Sequence, residues 1–184
     1  QHGHMNAVGY DLYCKMLNEA VKHLKGEAPE ELYTTTVDLN INAFIPSSYI
    51  PNEYQKLDVY KRIAAIETEE ERDDMLEELL DRFGEPPRRV QQLLTIAELK
   101  AFAHSAWLVS VEQKGNEYWF TMYEKARVKA ARIPELLARF QGALTFKAEP
   151  VPCFLYRKRQ TNKKERDEQI LEQVRAIVED IRGL

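Results

Sequence analysis

Several groups of residues carry side chains that could do chemistry, and their spacing decides what each can do. His2 and His4 stand two apart and could clip a metal, but two imidazoles fall short of the four ligands of a closed zinc site. Cys14 and Cys153 are the two cysteines, with no CxxC spacing and no paired base nearby in sequence, so each reads as a small buried hydrophobe rather than a nucleophile. Asp167-Glu168 has the composition of an ATPase acidic pair, yet it opens an amphipathic helical pattern instead of closing a strand. His23 and His104 lie near predicted helix ends, where capping or half-burial uses an imidazole without catalysis. No GxxxxGK[ST] phosphate loop, GxGxxG or HExxH is present, and the glycines are scattered singly.

The densest group is acidic. In TEEERDDMLEELLDRFGEPP, residues 68–87, Glu71, Asp74, Glu78, Asp81 and Glu85 recur at spacings of three and four. At about 100° per residue they share one helical face, nearly opposite a stripe of Met75, Leu76, Leu79, Leu80 and Phe83 that is expected to pack inward. Thr68 with Glu71 is a predicted capping box, and Gly84 followed by Pro86 and Pro87 is a stop. Like charges at these spacings repel by a few tenths of a kcal/mol per pair, and Glu78 and Asp81 lie too far along to be helped by the helix dipole. An exposed stripe lacks the burial that tunes a carboxylate to act as a general acid. It fits either a solvated face that keeps the domain soluble or a docking face for a basic partner.

The elements that must position this face follow from hydrophobic period. Residues 6–25 show helical spacing of Leu12, Tyr13, Met16, Leu17, Ala20, Val21 and Leu24, ending at Gly26, and residues 27–36 read as a polar linker. In VDLNINAFI, Val37, Leu39 and Ile41 alternate with Asp38, Asn40 and Asn42, which predicts a half-buried strand. After Pro51 comes a helix carrying Leu57, Tyr60, Ile63 and Ala64, then the acidic helix, then a third carrying Val90, Leu93, Leu94, Ala97 and Ala101. From Trp107 the period becomes two: WLVSVEQ and EYWFTMY flank Lys114-Gly115-Asn116, a hairpin signature. IPELLARF predicts a short helix, ALTFKAE and CFLYRK predict strands, and a helix of about 20 residues with Ile170, Val174, Ile177, Val178 and Ile181 closes the chain at Gly183. The expected fold is α+β: an N-terminal linking helix, a compact helical part over 37–106, then a small, mostly antiparallel sheet packed with helices over 107–184.

Composition bounds the rest. A chain of 184 residues with 44% hydrophobic residues is long enough for one large or two small globular units with a real core. A net charge of −4 gives no bulk attraction to nucleic acid. Arg157, Lys158, Arg159, Lys163 and Lys164 nonetheless form a basic run, and with Trp119, Phe120 and Tyr123 they support an alternative reading as a nucleic-acid or protein adaptor. No apolar run approaches the roughly 20 residues of a membrane span, and a cytoplasmic location is the expectation.

The pattern YIP, KL..YKRIA, E..ELxDRFG, P and LL.IA.LK, read in order through residues 49–100, resembles the C-terminal domain of bacterial transcription-repair coupling factors, the Mfd family. The likeness is strong over 37 to about 105 and looser beyond. QHGHMNAVGYDLYCKML is similar to the segment after the family's helicase-like motor, with Gln1 and Gly3 matching the end of its motor-coupling motif. Gly3-His4-Met5 also has the form of a cloning remnant. The resemblance makes residues 1–36 the end of that motif plus a linking helix, and 37–184 a C-terminal regulatory domain. It implies a parent that is an ATP-dependent double-stranded DNA translocase, which removes stalled RNA polymerase and recruits UvrA. ATP and magnesium would belong to the upstream motor, leaving this segment without catalytic residues or cofactors. It further implies that this domain docks on the UvrA-binding module of the same protein. Matched residue by residue, that role falls on Glu78, Asp81 and Arg82, with Asp74 and Glu71 on the same stripe.

Overall fold

The structure, a computed structural model, describes residues 33–159 and 166–184. The predicted N-terminal helix with Gln1, Gly3, His2, His4, Cys14 and His23, and Lys163 and Lys164 of the basic run, lie outside the described residues. The described residues divide into two compact units, 40–101 in one, and 33–39 with 102–159 and 166–184 in the other.

The first unit is helical. Asn52 caps α1 (Glu53–Ala64) by accepting the Gln55 amide at 3.0 Å, and the β-region conformation of Asn52 fits that role. Val59, Tyr60 and Ile63 form its buried arc. Leu57, expected inward, is 47% exposed: it lies about 60° past Tyr60 on the helical wheel, outside the arc that Val59 and Ile63 define. The Tyr60 hydroxyl accepts the Ile45 amide at 2.8 Å and so fixes the extended chain that precedes the helix.

Helix α2 (Glu69–Phe83) begins at Thr68, whose hydroxyl accepts the Glu71 amide at 3.1 Å. The reciprocal bond of the capping box reaches one residue further back than expected, from the Glu67 amide to Glu71 Oε2 at 2.8 Å. Gly84 ends the helix with φ +85°, a conformation glycine adopts without strain. The Tyr49 hydroxyl lies 3.1 Å from the Leu79 carbonyl and 2.8 Å from the Gly84 carbonyl, donating to the chain just past the helix end. Met75 and Leu79 are buried, as predicted. Leu80 is 52% exposed, because the buried arc centres on positions 75, 79 and 83 and position 80 is a further ~100° around. Helix α3 spans Arg88–Ser105, with Val90, Leu93, Leu94 and Ala97 buried.

The second unit holds a five-stranded sheet in the order β1-β2-β3-β5-β4. Its strands are β1 (Thr36–Asp38), β2 (Leu108–Lys114), β3 (Glu117–Met122), β4 (Leu144–Lys147) and β5 (Cys153–Arg157). The sheet is mostly antiparallel, as expected, but β1 pairs in parallel with β2 through Val37 opposite Val111. The predicted first strand is cut short: only Thr36–Asp38 joins the ladder, although Leu39, Ile41, Ala43 and Ile45 all remain buried. Alternating burial records an extended chain, and it does not guarantee a hydrogen-bonded neighbour. The β2–β3 hairpin turns at Gly115-Asn116 with φ +61° at the glycine. Tyr118, Phe120 and Met122 on β3 are buried on one face.

Helix α4 (Ile133–Arg139) has Pro134 in its first turn, and α5 (Asp167–Arg182) buries Ile170, Leu171, Val174, Ile177, Val178 and Ile181. Arg175 and Arg182 of α5 both lie over the Phe102 ring at 5.2 Å, and Arg139 reaches Asp180 at 3.5 Å. None of the described helices is long and apolar enough to cross a membrane.

Candidate functional site

Burying Met75 and Leu79 turns the opposite side of α2 outward. Glu71, Asp74, Asp81, Arg82 and Glu85 are exposed, and Glu78 is partly so. The structure thus places the predicted docking residues on one accessible helix face, but it distinguishes among them. Glu71 is used in the cap. Glu78 is clasped by Arg62 of α1: Nη2 donates to Oε1 at 2.7 Å and Nη1 donates to Oε2. Arg82, one turn along, adds a longer contact from Nη1 to Oε2 at 3.4 Å, and its guanidinium also lies over the Phe83 ring at 4.9 Å. Among the described residues Asp74 and Asp81 have no such partner.

The Arg62 hydrogen bond, aided by the charges of Arg62 and Arg82, holds the Glu78 carboxyl below the usual glutamate range against the opposing effect of desolvation. The same bond raises Arg62 above its ordinary value, so this pair stays charged through neutral pH. Between α1 and α2 lies an open groove of about 420 Å³. Arg62, Ala65 and Ile66 line one side, and Glu71, Asp74, Met75 and Glu78 the other. Its lining mixes apolar Ala65, Ile66 and Met75 with charged Arg62, Glu71, Asp74 and Glu78.

Arg62 was not visible as a partner from sequence. Glu78 and Arg82 are four apart and pair by helical spacing alone, whereas Arg62 is sixteen residues from Glu78 and meets it only through the α1–α2 packing.

The other candidates are accounted for by structure. His104 is half-buried; the Thr35 hydroxyl donates to the Leu108 carbonyl at 2.6 Å and accepts from His104 Nδ1 at 2.9 Å, which assigns the Nδ1–H tautomer. Cys153 is buried and its thiol is pushed up by desolvation, the opposite of an activated nucleophile. Among the described residues no three His, Cys, Asp or Glu gather as a metal site. On the hairpin, Phe120 is 0% exposed and cannot stack on a base. Trp119 faces the other way with the Lys114 and Lys147 ammonium groups each 5.4 Å from its ring, and Tyr123 stacks on Tyr33 at 4.9 Å. Arg157 pairs with Glu117 at 3.7 Å.

The fold is that of a small α+β protein with one mixed sheet and a separate helical unit bearing an ordered acidic face. The TRCF domain family matches residues 39–133, and the chain belongs to that family. It is 39% identical over 127 residues to the transcription-repair-coupling factor of Bacillus subtilis (strain 168), covering 68% of this chain and 11% of that protein. Against the transcription-repair-coupling factor of Staphylococcus aureus (strain NCTC 8325 / PS 47) it is 40% identical over 118 residues, 63% of this chain and 10% of the relative. The chain therefore spans about a tenth of the length of these relatives. The crystal structure of the C-terminal domain of a transcription-repair coupling factor shares the fold, with a TM-score of 0.62 at 24% identity over 82% of this chain and 95% of that one.

Proposed function

We propose that this chain is the non-catalytic regulatory end of an ATP-dependent DNA translocase of transcription-coupled excision repair, a cytoplasmic protein that works on double-stranded DNA, RNA polymerase and UvrA. The domain acts as an autoinhibitory latch, docking the outer face of α2 on the UvrA-binding module of the same protein until the motor engages. ATP and magnesium belong to the motor.

The observation that carries this reading is the presence of exposed Asp74 and Asp81, without partners among the described residues, on a helix firmly held by its other side. Exposed ion pairs contribute about 0 to 1 kcal/mol each, so a latch made of them is weak and salt-sensitive. A tether raises the local concentration to roughly millimolar, which keeps a weak latch mostly closed and easily opened.

The test is a calorimetric titration of this chain with the isolated UvrA-binding module at low and high salt, beside Glu78→Lys with Asp81→Lys. Salt-sensitive binding lost in the double variant is expected. Binding that survives charge reversal would mean that another surface carries the contact.

A further inference from the structure

Of the stripe acids, Glu78 is the one the domain already neutralises. The Arg62 guanidinium engages both of its oxygens and Arg82 stands beside Oε2 at 3.4 Å, so two cations share one carboxylate. A carboxylate has about four lone-pair positions. Arg62 takes two of them in the fork geometry that makes arginine–carboxylate pairs strong and directional, and Arg82 approaches a third. A guanidinium or ammonium arriving from a partner must therefore displace Arg62 or settle for what is left. Asp74 and Asp81, which flank Glu78 along the same face, impose no such competition.

We infer that Arg62 is a specificity-determining residue of the docking face: it competes internally for Glu78, weakens the domain's hold on a basic partner and directs that partner to Asp74 and Asp81. This inference rests on the docking reading and deepens it. The position of Arg62 supports a tuning role over a core role. Its side chain is 42% exposed, and it stands in the last turn of α1 and lines the groove. The groups that bear on the pair are Arg82 and, on the helix of Arg62 itself, Asp58, with Glu71 and Asp74 lining the groove beside it. A latch that must open benefits from an internal competitor, because the released acid is taken up again within the domain.

The experiment compares wild-type chain with Arg62→Gln, which removes the charge but keeps a hydrogen-bonding side chain, and with Arg62→Lys, which keeps the charge but loses the fork. Each is titrated with the isolated UvrA-binding module at low and high salt, and the Glu78 carboxyl is followed by NMR pH titration in the free chain. Arg62→Gln is expected to raise the Glu78 midpoint toward the ordinary glutamate value. It should also tighten binding roughly two- to fivefold, the scale of one exposed ion pair, with a steeper salt dependence. Adding Glu78→Gln should cancel the gain, and Arg62→Lys should bind close to wild type. An unmoved Glu78 midpoint, or equal or weaker binding by Arg62→Gln, overturns the proposal and leaves docking intact. Absence of binding by every form, wild type included, removes the docking reading and this inference together.

Discussion

Arg72 on α2 brings Nη1 to 2.6 Å from Oε2 of Glu98 on α3, a carboxylate whose side chain is only 5% exposed. Arg72 also contacts Glu69 at 3.5 Å and Asp73 at 3.3 Å, so the guanidinium links the acidic first turn of α2 to a buried charge. Removing one member of a fully buried ion pair costs about 3–5 kcal/mol. Because Arg72 is a quarter exposed, Arg72→Ala is expected to cost nearer 2 kcal/mol in urea denaturation. Arg72→Met with Glu98→Leu should recover most of it. A double variant less stable than Arg72→Ala would show that the pair itself contributes net stability.

Adjacent leucines on the same helix make opposite predictions. Leu79 is 0% exposed and Leu80 is 52% exposed. Leu79→Ala should cost about 2–5 kcal/mol, from lost transfer free energy plus the cavity left behind. Leu80→Ala should stay within about 0.5 kcal/mol. Chemical denaturation of the two variants settles the facing of α2, and similar losses would contradict it.

That pair also marks how far sequence reasoning reached. Caps, stops, hairpin turn and periodicity placed nearly every described element, because each depends on residues a few positions apart: Thr68, Gly84 and Gly115 act locally, while the Asn52 cap of α1 went unread. Errors arose where a neighbour far along the chain decides. Leu57 and Leu80 satisfy helical spacing, yet only the packing of the helices fixes which edge of a wide stripe is covered. The predicted strand alternates from Val37 to Asn42, but its pairing ends at Asp38 opposite Glu112, although β2 itself continues to Lys114. The acidic face was legible as exposed; that Glu78 is clasped by Arg62 while Asp81 stays open depends on two helices meeting.

Alkaline pH should destabilise the second unit through Tyr118. Burial, with a smaller contribution from nearby Tyr156, raises its phenol above the ordinary 10.0. The unfolded chain then ionises first, so this contribution to stability is complete below pH 10.0 and is lost as pH rises toward the higher folded value. Urea midpoints measured across that alkaline range should fall, and Tyr118→Phe should flatten the fall. Tyr33, in the same unit and also raised by burial, will keep it from vanishing. An unchanged slope in Tyr118→Phe would place the titrating phenol elsewhere.

Trp107 follows the C-terminus of α3 with φ +64°, a left-handed conformation that a bulky residue adopts only under strain. The backbone there is held at both ends: its amide donates to the His104 carbonyl at 3.2 Å and its carbonyl accepts from Tyr123 at 2.8 Å. Its indole is 43% exposed and stacks on Tyr123 at 6.3 Å, with Tyr33 5.7 Å away. Strain and stacking can be separated by two substitutions that both delete the ring. Trp107→Ala keeps a Cβ in the left-handed region, whereas Trp107→Gly removes it. The glycine variant should therefore be more stable than the alanine variant by about 1 kcal/mol, despite the greater freedom glycine gives the unfolded chain. Thermal or urea unfolding of the pair reads this difference directly. If alanine proved equal or better, the chain at 107 would not be held left-handed in solution, and the exposed indole would owe its place to something other than the end of α3.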